Sequence, residues 1–200
     1  MTFESSKNLS AVGALLIVIG FIGSAVSFVG VLSLIGVILL LIGLKGLANF
    51  YKEEGIFNNA LYAIITAIVG VVIAAATIFV TAVSALLTIG IDINNINDWN
   101  TFGTDIANYF SDFANFSELW TLVGAIAFAL IAGFVFAIIS MYFFRKSLNQ
   151  LSSKSGIGLF GTAGLLMLIG AVLTIVAIGL LLIWIGFIIA TVAFFKMKKE

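Results

Sequence analysis

The chain has 200 residues, of which 62% are apolar and only 9% charged; its net charge is zero, and it contains no Cys, His or Pro. Soluble domains carry roughly 25% charged residues, so water alone cannot be the solvent for this surface. Without Cys or His there are no disulfides, no thiol chemistry and none of the commonest zinc ligands, and the balanced charge offers no footing for a nucleic-acid partner.

Met1 to Ser10 carries Glu4 and Lys7, a balanced start that reads as the head of a retained helix rather than a leader. Leu9 to Leu44 then holds no Lys, Arg, Asp or Glu. That is nearly twice the ~20 residues one helix needs to cross a bilayer. It predicts two passes, at about 9–27 and 30–50, turning near Ser27 and Gly30. A mixed-charge connection with Lys45, Lys52, Glu53 and Glu54 leads into a long third helix at about 57–90. After an outer connection at 91–117, a fourth helix follows at about 118–148. Ser155 to Phe195 is a second uncharged stretch, predicting passes at about 156–176 and 179–197. The expectation is an all-α, polytopic membrane helical bundle of about six transmembrane helices, forming one domain over 1–200.

Charge sets the expected orientation. With a cytoplasmic N-terminus, Lys7, Lys45, Lys52, Arg145, Lys146, Lys154, Lys196, Lys198 and Lys199 all fall on the inside. The 91–117 connection falls outside, with Asp92, Asp98, Asp105 and Asp112 and no basic residue. This places the protein in the cell membrane as a multi-pass chain with both termini cytoplasmic. A re-entrant hairpin also returns to its own side, so charge does not separate it from two full crossings.

Three internal matches stand out. Ser5-Ser-Lys7, opening the first hairpin, recurs as Ser152-Ser-Lys154 before the last, a match that needs a short gap to align with the other two. Ala14 to Gly20 (ALLIVIG) resembles Gly164 to Gly170 (GLLMLIG), and Ile35-Gly36 matches Ile185-Gly186. Helices one and two thus resemble helices five and six in the same orientation. Apolar low complexity produces such matches too, so duplication and chance both stand at this level.

Small residues mark where helices can touch. Ala125, Ala129, Gly133 and Ala137 are spaced by four on helix four; Gly13, Gly20 and Ser27 are spaced by seven on helix one, as are Gly36 and Gly43 on helix two. Small side chains let helix backbones approach inside lipid. The helix-four stripe serves either packing within the chain or a seam between copies. In the outer connection Phe102, Ile106, Tyr109, Phe110 and Phe113 share one helical face, opposite Asp105, Asn108, Asp112 and Asn115. This spacing predicts an amphipathic interfacial helix, either a passive lid or a docking face. Lys45, about a turn from the inner interface, is placed to snorkel to it, as a structural lysine or as a contact to lipid phosphate shared with Lys52.

Membrane-embedded polar groups, the usual pointers to transport, are mainly hydroxyls: Ser24, Ser33, Thr77, Thr81, Ser84, Ser140 and Thr174. Each can bond to its own helix backbone. No carboxylate lies at mid-membrane, and no nucleophile–base pair can use His or Cys. No catalytic, cofactor-binding or metal-binding residue is assigned, and no cofactor is expected.

The opening Ser5-Ser-Lys-Asn8, the glycine-spaced first hairpin and the stretch Lys45-Gly-Leu-Ala-Asn-Phe-Tyr-Lys52 resemble an uncharacterised archaeal membrane family, domain of unknown function 996. The resemblance covers most of the chain and implies an archaeal cell membrane. It brings no activity or site with it. The residues therefore favour a non-catalytic structural or accessory role, acting through helix packing among membrane lipids, in a homo-oligomer or a larger membrane complex. The alternative is a small channel or carrier for an uncharged solute.

Overall fold

The computed structural model describes residues 1–22, 30–88, 104, 116–176 and 178–198. Six long helices account for nearly all of these: α1 (Phe3–Ile22), α2 (Gly30–Tyr51), α3 (Glu54–Thr88), α4 (Phe116–Ser155), α5 (Gly158–Leu173) and α6 (Ile178–Lys196). A 3-10 turn, Thr174–Val176, extends α5. The fold is all-α, as a bilayer demands of a chain that must satisfy its backbone hydrogen bonds internally. Among the described residues, five helices are long and apolar enough to span a membrane, all except α1. Helix α1 starts at Phe3, earlier than the expected position near 9, and its first two turns carry Glu4, Ser5, Ser6, Lys7 and Asn8. Helices α3 and α4 have 35 and 40 residues, or about 52 and 60 Å at 1.5 Å per residue.

The helix ends follow from local chemistry. After α2, Lys52 adopts φ 52°, a left-handed conformation more usual for glycine. The Glu53 N–H returns 2.9 Å to the Ala48 carbonyl and the Lys52 N–H 3.4 Å to that of Asn49. This Schellman closure satisfies carbonyls left over at the end of α2 and turns the chain into α3. Gly156, at φ 71°, makes the corresponding reversal after α4.

The described chain falls into two compact units: Met1–Ile68 with Phe136–Glu200, and Val69–Val135. In the first, one apolar cluster gathers Phe3, Leu44, Leu47, Ile56, Leu148, Leu151, Phe160, Phe194 and Met197. All of these lie within a few residues of Lys7, Lys45, Lys52, Lys154 or Lys196. The largest buried side chains therefore gather mainly at the basic ends of the helices, while Ile17 and Met167 carry the cluster deeper. At those ends water competes for the surface and apolar side chains gain by turning inward. Within hydrocarbon, lipid is as apolar as leucine and supplies no such force. The second unit follows that logic, with Phe79 68% and Leu130 69% exposed.

Candidate functional site

Two tight hairpins organise the first unit. In the α1–α2 hairpin the backbones nearly touch: a Cβ added at Gly36 would lie 2.7 Å from the Gly13 carbonyl oxygen and 2.9 Å from the Ile17 nitrogen. In the α5–α6 hairpin a Cβ at Gly170 would lie 2.7 Å from the Gly179 carbonyl oxygen and 2.9 Å from the Ile183 nitrogen.

The same contacts recur 150 residues apart. Gly36 faces Gly13 and Ile17, while Gly186 faces Ala163 and Met167. Gly20 faces Ser33, while Gly170 faces Ile183. Burial repeats as well: Leu44 and Phe194, Leu47 and Met197, and Ile17 and Met167 are all buried. Chance matches between apolar stretches would not reproduce both partners and burial, so the internal match is a structural repeat.

The two hairpins are joined through α1 and α6. The Trp184 indole N–H donates to the Val18 carbonyl oxygen at 3.1 Å, and Lys7 Nζ donates to the Met197 carbonyl oxygen at 3.4 Å. Lys7 also pairs with Glu4 at 2.7 Å. Trp184→Phe keeps an aromatic ring but removes the donor. The expected loss is about 0.5–1.5 kcal/mol, read as a lowered unfolding midpoint in mild detergent with the helical content unchanged.

Helices α3 and α4 are tied by polar groups that bridge the helix pair. Ser140 Oγ donates to the Ala63 carbonyl oxygen at 2.8 Å and Ser147 Oγ to that of Ile56 at 2.5 Å. Buried Asn59 donates to the Gly55 carbonyl oxygen at 2.7 Å and to Gln150 Oε1 at 3.0 Å. For Ser140 this departs from the own-helix bond expected of a lipid-embedded serine. Ser140 is 4% exposed and its carbonyl partner belongs to the neighbouring helix. Ser147, Asn59 and Gln150 were not singled out from the sequence; the one available signal is the seven-residue spacing of Ser140 and Ser147 along a single face. Thr77 and Thr174 do bond within their own helices, to the carbonyls of Ile73 and Ala171.

The sequence candidates are dispersed. On α4, Ala129 is buried, Ala125, Gly133 and Ala137 are half-buried, and a Cβ added at Gly133 would meet nothing within 4 Å. Among the described residues, no close helix contact accounts for that glycine. Lys45 is exposed, with its ammonium 5.5 Å from the centre of the Phe57 ring. Lys52 is exposed and forms the α2–α3 reversal described above. Ser24 and the face of Phe102, Ile106, Tyr109, Phe110 and Phe113 lie outside the described residues.

A family model, described as a protein of unknown function (DUF996), matches residues 32–188. The chain belongs to the DUF996 family. The match runs from α2 into α6 and so includes both helices of the central α3–α4 pair. An archaeal relative, Uncharacterized protein MJ1644 of Methanocaldococcus jannaschii, is 27% identical over 200 residues, covering 100% of this chain and 96% of the relative. No solved structure matches this DUF996 protein.

Proposed function

We propose that this DUF996 protein is a non-catalytic membrane component that works by helix packing, with a second copy of itself as its first partner. It sits in the cell membrane with both termini cytoplasmic, the side to which all nine basic residues are assigned.

One comparison carries the reading. On α6, Trp184 and Ile188 are half-buried, and Trp184 docks on α1. Their counterparts in the repeat, Leu34 and Ile38 on α2, are 67% and 58% exposed. The same helix face is therefore occupied in one repeat and open in the other. A second copy presenting the same open face across a two-fold axis would close it. For the carrier reading, Thr77, Ser140 and Thr174 have their hydroxyls committed to backbone carbonyls, which leaves those donors no free role along a passage.

The chain has no native cysteine, so single-cysteine variants give an unambiguous test. Leu34→Cys and Ile38→Cys are expected to cross-link into dimers in native membranes. Val172→Cys, exposed on α5, is expected not to. Native mass spectrometry after gentle extraction should show the same dimer. A monomer, with no cross-link at Leu34→Cys or Ile38→Cys, defeats the proposal.

A further inference from the structure

We propose that Arg145, whose stem packs against Gly164 of α5, binds the phosphate of a lipid headgroup. Arg145 Nε is buried without a hydrogen-bond partner, the one such side-chain atom among the described residues. The residue as a whole is half-buried, so the terminal nitrogens of the guanidinium stay accessible while Nε is enclosed. No acceptor on the described residues meets those accessible nitrogens, so the charge finds its acceptor outside the chain.

The side chain is also held in place. A Cβ added at Gly164 would lie 3.0 Å from Arg145 Cα and 3.2 Å from its Cγ. The glycine thus provides the seat on which the arginine stem rests. One turn further along, Gly161 of α5 faces Asn149 and Ser152 of α4, so the two helices stay paired toward their basic ends. The described acids in ion pairs are already engaged, Glu4 with Lys7 and Glu53 with Lys154. No hydrogen bond or ion pair joins Arg145 to any described residue.

Depth selects the ligand. Residues 119–144 carry no charge, a run of about 39 Å as helix, and Arg145 is the first charge beyond it. That is the level at which hydrocarbon gives way to headgroups. The anion abundant at that level is the lipid phosphate. A planar guanidinium can meet two phosphate oxygens in parallel, which an ammonium cannot. The start of α5, toward the same basic end, adds a second attraction. Its N-cap, Ile157, makes no side-chain cap bond, so the positive end of the helix stays available about 9 Å along the axis from Gly164.

The test is native mass spectrometry of the full chain in mild detergent. It is titrated separately with phosphatidylglycerol, with diacylglycerol of the same acyl chains, and with inorganic phosphate. Wild type should retain one phosphatidylglycerol and no diacylglycerol. Arg145→Gln should weaken retention about tenfold. Arg145→Lys, which keeps the charge but loses the fork, should fall between them. Lys146→Gln, an exposed neighbour, should match wild type. Circular dichroism confirms that the variants compared are folded; should Arg145→Gln fail to fold, Arg145→Lys against Lys146→Gln decides. Wild-type retention by the Arg145 variants, or equal binding of diacylglycerol, overturns the proposal. Saturable binding of inorganic phosphate below about 1 mM, with phosphatidylglycerol displaced, overturns the lipid assignment in favour of a free oxyanion.

Discussion

Gly13→Leu is expected to stop the first hairpin from closing, with a loss above about 3 kcal/mol. A Cβ at this position would lie 2.6 Å from the Gly36 carbonyl oxygen and 2.9 Å from Leu40 Cα. Both are backbone atoms in helices, so neither can swing aside as a side-chain tip would. Even Gly13→Ala must push the helices apart, at a cost of about 1–3 kcal/mol, and Leu adds a branched side chain to the same gap. The control is Gly133→Ala, where an added Cβ meets nothing within 4 Å. There the gain in helix propensity, about 0.5–1 kcal/mol, should leave stability unchanged or slightly raised. Unfolding in mixed detergent micelles, followed by circular dichroism, reads both variants on one scale. A Gly13→Leu protein as stable as wild type would show that the backbones do not approach as described.

Phe160→Ala is expected to cost about 3–5 kcal/mol. Phe160 is fully buried, with its ring centre 4.8 Å from that of Phe194 in an edge-on arrangement. The deletion leaves a cavity lined by rigid helices and also removes a favourable aromatic pair. Its position at the basic end of the bundle matters, because any relaxation there admits water rather than acyl chain. By contrast Phe79, 68% exposed, should tolerate alanine with a change below about 0.5 kcal/mol. The same unfolding measurement distinguishes the two, and a Phe160→Ala loss as small as that of Phe79→Ala would remove this contact from the core.

Much of this architecture was legible in the residues. A run such as Leu9 to Leu44 has few structural options in lipid, since open backbone is not tolerated there, so absent charge translates directly into helices. The glycines of the hairpins were legible as packing positions because helix contact in membranes depends on close approach. Helix lengths were less so: α4 continues through Lys154 to Ser155, because polar residues with adequate helix propensity carry a helix beyond lipid as readily as apolar ones carry it through. Partners across helices were not legible at all. A serine that bonds to its own preceding turn and one that reaches a neighbouring carbonyl, as Ser140 does to Ala63, look identical in a single sequence. What separates them is the rotation of each helix about its axis, and spacing along one chain does not encode it. Arg145 escaped for the same reason, since its isolation depends on what α5 places opposite it.

The recurrence of one hairpin's contacts 150 residues later constrains the pair of helices that separates the copies. Two copies inserted with the same handedness and heading can be connected only by a segment that comes back to the surface it left. A single intervening crossing would turn the second copy upside down and exchange its charged rim for its apolar tip. The pair α3 and α4 meets that parity requirement, as any even number of crossings would.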